Sequence, residues 1–173
     1  MTRHSSMVRL SLALLSVLAL AGPAAAGGQE KQVPFRGEFE GAATVTPRTP
    51  PFVFINIEGE GHATQLGHFE VSIPHVTNRS NGTAVGTYVF TAANGDTLTA
   101  DFTSQVTPTG VPGVVSVAVT ATITGGTGRF DGATGSFDAE RIVDMAHGTV
   151  TESFDGTIST PRGGKDCDDD HND

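Results

Sequence analysis

Several residue types are scarce in this chain, and each shortage excludes a class of protein. The 173 residues include one Cys, one Tyr and no Trp, so the chain has no internal disulfide framework. Lys and Arg number 10 against 19 Asp and Glu, a net charge of -9, and no basic cluster is present that could bind nucleic acid phosphates. The 22 Gly and 9 Pro stay below the share typical of low-complexity disorder, so one small packed domain is expected.

Residues 1–26 have the order of a secretory signal peptide. Basic residues come first, an apolar run follows from Leu10 to Leu20, and small residues lead to an expected cleavage after Ala26. A buried N-terminal helix is the alternative, which the Ala-x-Ala ending disfavours. This run is too short to span a bilayer, and no later run is long enough either. The sequence predicts a signal peptide at 1–26, a secreted (extracellular or periplasmic) domain at 27–162 and a flexible acidic tail at 163–173.

After residue 26 the amino-acid composition is typical of β-strands. This part holds 15 Val, 6 Ile, 22 Thr and all 10 Phe, but only two Leu, and no stretch repeats apolar residues at the helical period. We expect strands at 33–46, 52–60, 61–73, 83–92, 96–106, 114–124, 135–145 and 149–159, with at most a short helical turn. Their meander-like spacing favours an all-β, single antiparallel eight-stranded β-barrel over a sandwich.

The pair Asn94-Gly95 predicts a two-residue type I′ hairpin, in which both residues take positive φ. Such a turn would place Tyr88 opposite Asp101, on the outer face, with Phe90 as an exposed or half-covered exception. The predicted core face of this hairpin comprises Val85, Val89, Leu98, Ala100 and Phe102.

A glycine-rich segment, GGTGRFDGATGSF at residues 125–137, joins two of the strongest strands. It resembles the Gly-Gly-Thr/Ser-Gly-x-Phe-x-x-x-x-Gly turn of the dirigent and allene oxide cyclase barrels. The resemblance implies an eight-stranded antiparallel barrel with an open hydrophobic mouth that holds a small apolar ligand or intermediate. It also implies that Phe130 plugs one barrel end while glycines let the chain reverse. The structural turn residues are Gly125, Gly126, Gly128, Phe130, Gly132 and Gly135.

The resemblance brings no catalytic residue with it. The Arg-Gly-Tyr-Ala continuation common in dirigent proteins is replaced here by Thr134 to Phe137, and the short polar motifs of an allene oxide cyclase are not recognisable near the first strands. The catalytic residues, if any, therefore stay unknown from the sequence.

The last predicted hairpin carries one charge in each of two apolar rows. Arg141 shares its parity with Phe137 and Val143, while Glu152 shares its parity with Phe154. A four-residue connection at 145–148 would place Arg141 directly opposite Glu152. The pair is either a structural ion pair on a buried face or a polar anchor for a ligand in the cavity.

A second candidate group lies on the strand near residue 60. Glu58, Glu60 and His62 are in phase at period two, which suits an acid/base or metal cluster. A solvated outer face is the favoured interpretation, because same-face neighbours in one strand point in parallel and do not converge. A bulge at the neighbouring glycines would turn Glu60 or His62 inward. We retain Arg141, Glu152, Glu60 and His62 as candidate ligand-binding residues.

The remaining polar features are interpreted as surface. His68, His75 and His147 are expected at the surface or in turns, Cys167 is expected as an exposed thiol in the acidic tail, and Asn78 and Asn81 begin acceptor sequons. The Asp-rich tail lacks the spacing of a calcium loop. No motif indicates a resident metal or cofactor.

Two functions remain open. The first is a secreted barrel that binds a small apolar ligand in its interior or mouth, and the second is a dirigent-like or cyclase-like enzyme that orients a reactive intermediate. A barrel filled with side chains would exclude both in favour of a structural protein.

Overall fold

A computed structural model describes residues 31–159, which form a closed barrel of eight antiparallel strands. Each strand pairs with its neighbours in sequence, and β1 pairs with β8 to close the barrel. The strands are β1 Gln32–Pro47, β2 Phe52–Ala63, β3 Gly67–Asn78, β4 Thr83–Ala92, β5 Thr97–Pro108, β6 Val114–Gly126, β7 Thr134–Asp144 and β8 Thr149–Ser159. A single 3-10 turn, Gly128–Phe130, is the helical element of this part of the chain. The all-β, eight-stranded prediction is therefore confirmed.

The period of two decides which side chains enter the barrel. In β6, Val117, Val119 and Ile123 are buried while Thr120 and Thr122 are exposed. Successive side chains of a strand point to opposite faces, and inward apolar residues are stabilised by leaving water. The alternation read from the sequence of this strand thus gives its orientation directly.

The boundary between β2 and β3 differs from the expected one. The sequence placed it after residue 60, whereas β2 continues to Ala63 and the chain reverses at Gln65, which has φ 68°. Gly59 and Gly61 serve close packing instead of a turn, because a Cβ at Gly61 would collide with the backbone and side chain of Phe39. These glycines therefore let β1 and β2 approach inside the barrel.

The register of the β4–β5 hairpin is one residue away from the predicted one. Tyr88 lies opposite Ala100, and within the loop that joins the strands positive φ is found at Gly95 alone, at 87°. The Gly95 N–H donates to the Ala92 carbonyl at 2.8 Å, and the Ala92 N–H donates to the Asp96 carbonyl at 2.9 Å. This longer loop flips the parity of β4, because a shift of one residue reverses every side chain.

The flipped parity changes which aromatic residues form the core. Tyr88 and Phe90 are fully buried, whereas Val85 is 59% exposed. The prediction was therefore wrong for β4, although Leu98, Ala100 and Phe102 of β5 are buried as expected.

One end of the barrel is packed with aromatic side chains. The rings of Phe35, Phe69, Phe90, Phe137 and Phe154 contact one another with centroid separations of 5.0 to 6.3 Å. Phe130 from the glycine-rich turn is 1% exposed and closes this end together with Leu66. The turn reverses as expected, with positive φ at four of its glycines, including 57° at Gly128 and 68° at Gly132.

The predicted signal peptide, the acidic tail and Cys167 lie outside the described residues. Within 31–159, no helix has the length and apolar character needed to cross a membrane.

Candidate ligand-binding site

The end of the barrel opposite the phenylalanine cluster contains a cavity of about 530 Å³. Its walls are mostly small or branched side chains of strands β1 to β7 and of the β3–β4 and β7–β8 loops at this end. The lining residues are Ala43, Val45, Val53, Ile55, Ile57, His75, Thr77, Arg79, Gly82, Ala84, Ser104, Val106, Val115, Val117, Arg141, Val143, Met145 and Gly148. The interior is therefore filled in one half and open in the other.

The polar floor of the cavity begins with the pair that the last hairpin predicted. Arg141 lies opposite Glu152 across β7 and β8, and its Nε donates to Glu152 Oε2 at 2.5 Å. Their side chains are 3% and 0% exposed. The connection at 145–148 produces this register, and the buried face tolerates the charges because each one has its partner.

Tyr88 is a third member of this group, and the sequence interpretation missed it. Its hydroxyl donates to Glu152 Oε1 at 2.7 Å and accepts a bond from Arg141 Nη2 at 2.8 Å. Burial raises the pKa of Tyr88 well above its ordinary value. Burial alone would lower the pKa of Arg141, yet the charge of Glu152 and the hydrogen bonds to Glu152 and Tyr88 outweigh it and raise that pKa. The group therefore carries a paired cation, with Tyr88 as a neutral phenol.

His75 is also inside the barrel, contrary to the surface position expected for it. It is 6% exposed, lines the cavity and lies against the ring of Phe102 at a centroid distance of 5.8 Å. Gly86 of the neighbouring strand makes room for it, since a Cβ there would collide with the Cβ of His75. In β3, His75 has the same parity as buried Val71 and Ile73, and this parity is the signal that could have found it.

The hydrogen bond of His75 fixes its tautomer. Its Nδ1 lies 2.9 Å from the carbonyl oxygen of Ile73, and because a carbonyl only accepts, Nδ1 carries the proton. Desolvation by burial lowers the pKa of His75 to about 4; the bond to Ile73 opposes this shift and the charge of Arg141 adds to it. At neutral pH the imidazole is therefore uncharged, and Nε2 is a free lone pair.

Glu60 and His62 lie on the outer face of the barrel, in a groove that Glu152 also borders. Both are exposed, and β1 pairs with β2 without a bulge from residue 37 to 47. The His62 and His68 rings are 4.9 Å apart, and His68 Nε2 lies 3.9 Å from Glu60 Oε2. The side chains of Arg141 and Glu152 are instead buried inside the barrel, so the four candidate side chains do not share one face of the sheet.

The outer groove around this cluster is acidic, with Glu38, Glu40 and Glu140 also along it. Within residues 31–159, no three acidic, His or Cys side chains are placed to hold a metal ion. His147, exposed as expected, lies with Nδ1 at 2.7 Å from Asp144 Oδ2.

Comparisons with known proteins give a structural likeness only. No family model and no curated protein sequence matches the chain. The solved structure of the pterocarpan synthase dirigent protein PsPTS1 is similar with a TM-score of 0.58 and 13% identity, covering 78% of this chain and 98% of that one. For the pterocarpan synthase dirigent protein GePTS1 the TM-score is 0.54 and the identity 17%, with 80% and 94% covered. Together with the strand order, these likenesses show that the chain has the dirigent-like β-barrel fold.

Proposed function

We propose that this protein is an exported barrel that binds one small, largely apolar molecule in the open half of its interior. The observation that carries the proposal is the cavity of about 530 Å³ with its Val and Ile walls. Its volume falls within the range of roughly 300 to 1,000 Å³ that small-molecule sites occupy. Export is proposed from the order of residues 1–26.

The floor of the cavity defines the polar part of the ligand. Arg141 uses two of its five N–H groups on Glu152 and Tyr88, so donors remain for a ligand oxygen. His75 Nε2 offers an acceptor for a ligand O–H or N–H. We therefore expect a ligand with an apolar body and a single polar end that both accepts and donates hydrogen bonds, as a hydroxyl does.

Filling the cavity tests the proposal. Ala84 faces the cavity and is 5% exposed, so Ala84→Phe places a ring where the ligand would lie. Ala118→Phe adds the same ring on the outer face, where Ala118 is exposed, and serves as the matched control. The probe is 1-anilinonaphthalene-8-sulfonate, whose fluorescence rises in an apolar site.

The native chain and Ala118→Phe should bind the dye saturably at one site per barrel, and Ala84→Phe should weaken binding at least about tenfold, which corresponds to 1.4 kcal/mol. Equal binding by both variants would place the dye outside the cavity and refute the proposal. Native mass spectrometry of protein purified from its own host would identify the small molecule that is bound in the cavity.

A second candidate is an enzyme that orients a reactive intermediate, and the neutral His75 at the cavity floor favours it. An uncharged imidazole acts as a general base when its free nitrogen reaches the substrate, with Arg141 stabilising developing negative charge. Glu60 contributes nothing to this chemistry from the outer face. Incubating host metabolite extract with native protein and with His75→Phe separates the two functions: conversion that requires His75 indicates an enzyme, whereas retention without conversion indicates a binding protein.

A further inference from the structure

The rim of the cavity mouth exposes a group of large apolar side chains. Val45, Phe52, Val111 and Met145 are 48%, 45%, 58% and 62% exposed. They come from β1, β2 and two loops, β5–β6 and β7–β8, which meet at the open end. In residues 31–159, Val85 on the outer wall is the remaining large apolar side chain with such exposure. The exposed large apolar side chains of the described residues are thus concentrated where the cavity opens.

The charge at this end is opposite in sign to that of the whole chain. The four connections at 48–51, 79–82, 109–113 and 145–148 contain Arg48 and Arg79 and no Asp or Glu, while the whole chain has a net charge of -9. At the strand ends beside them, Asp144 is the carboxylate, and it contacts the His147 side chain. The Arg48 guanidinium lies over the Phe54 ring, with its central carbon 5.3 Å from the ring centroid, and this cation–π contact holds the charge beside the rim.

We propose that the mouth of this barrel docks on the surface of an anionic lipid bilayer. Apolar side chains flanked by arginines are typical of surfaces that bind membranes peripherally. The apolar side chains enter the membrane interface, and the arginines pair with anionic head groups. The acidic outer walls are repelled by the same surface, which orients the barrel mouth-down. In this orientation the cavity opens onto the acyl chains, and an apolar molecule passes between bilayer and barrel without crossing water.

Docking goes beyond the proposed function, because it requires no ligand in the cavity. Vesicle flotation measures it, with phosphatidylcholine vesicles that contain or lack phosphatidylglycerol. The protein is taken as exported, with its N-terminus sequenced, so that every variant carries the same first residues.

Val111 and Val85 make a matched pair, with exposures of 58% and 59% at the mouth and on the wall. Val111→Asp should lower partitioning onto the anionic vesicles at least about fivefold, whereas Val85→Asp should change it less than about twofold. Arg48→Gln combined with Arg79→Gln should lower binding to the anionic vesicles and leave that to neutral ones unchanged. Urea unfolding midpoints check that each variant is folded.

Three results would overturn docking: no flotation of the native chain on anionic vesicles, equal loss for both aspartate variants, or a dimer in sedimentation equilibrium that Val111→Asp abolishes. The last would assign the rim to a second copy of the chain. Ala84→Phe separates the two proposals, because a barrel with a filled cavity should lose the dye and still float.

Discussion

Replacing Arg141 tests whether the floor of the cavity is a coupled polar unit. Arg141 and Glu152 are almost completely buried and joined at 2.5 Å. Arg141→Met keeps an unbranched apolar side chain and removes the charge, which leaves the Glu152 carboxylate without its cation. Breaking one partner of a buried pair costs roughly 3–5 kcal/mol, whereas an exposed pair contributes under about 1 kcal/mol.

The double variant Arg141→Met with Glu152→Leu should be more stable than Arg141→Met alone, since no orphan charge remains. It still leaves the Tyr88 hydroxyl without both of its partners, because that oxygen bonds to Glu152 and Arg141. A buried unsatisfied hydroxyl costs about 1–3 kcal/mol. Adding Tyr88→Phe to the double variant should therefore recover about that amount, although Tyr88→Phe alone is expected to destabilise the native barrel.

Urea unfolding at neutral pH measures these free energies, with the slope of each transition checked for constancy. The sign reversal at Tyr88 is the sharpest readout: the same substitution destabilises the native background and stabilises the double variant. A coupling energy between Arg141 and Glu152 near zero, or a Tyr88→Phe effect of the same sign in both backgrounds, would refute the polar unit.

Three further predictions concern other parts of the chain. Burial lowers the pKa of His75 from 6.5 to about 4, so the unfolded state takes up a proton at this residue before the folded state does as pH falls. The free energy of unfolding should therefore drop by about 2 kcal/mol between pH 7 and pH 5. His75→Phe should remove most of this pH dependence, as measured by urea unfolding at each pH. Valine at Gly128 or Gly132, which have φ of 57° and 68°, should cost about 1–3 kcal/mol. Substituting exposed Asp131 with alanine should cost less, and equal melting temperatures would show a permissive turn. N-terminal sequencing of exported protein should begin at or near Gly27, and recovery of an intact residue 1 would contradict the signal peptide.

The sequence predicted the fold because alternation within a strand is a local property. The parity of β6 and the pairing of Arg141 with Glu152 depend on neighbouring residues and on one short connection. The predicted parity of β4 was wrong because it also depends on the adjacent loop. One additional loop residue near Gly95 changes the register, so Tyr88 lies in the core and not on the expected outer face. A turn of uncertain length thus limits every inference about the strand beside it.

The site was only half predictable, because its contacts cross the barrel. Tyr88 lies 53 and 64 residues from the partners of its hydroxyl, and no pairing of adjacent strands brings β4 to β7 and β8. Only closure of the sheet does so. His75 was detectable from its parity, but histidine is usually exposed or half-buried, and the glycine that makes room for it lies on another strand.

The cavity itself follows from side-chain size along the barrel axis. Every strand sends inward residues to both ends, but they are mostly Phe, Leu or Ile at the closed end and mostly Val, Ala, Thr or Ser at the mouth. An eight-stranded barrel is just wide enough for large side chains to fill it. The smaller residues at the mouth therefore leave space. The hydrogen-bonded group of Arg141, Glu152 and Tyr88 lies between the two halves, because burying its charges deeper among the phenylalanines would cost more free energy. Enlarging two residues at the mouth, with Val106→Phe and Val115→Phe, should fill the open half and abolish dye binding. The barrel should keep its β-sheet circular dichroism. Persistent dye binding would show that the cavity does not depend on side-chain size.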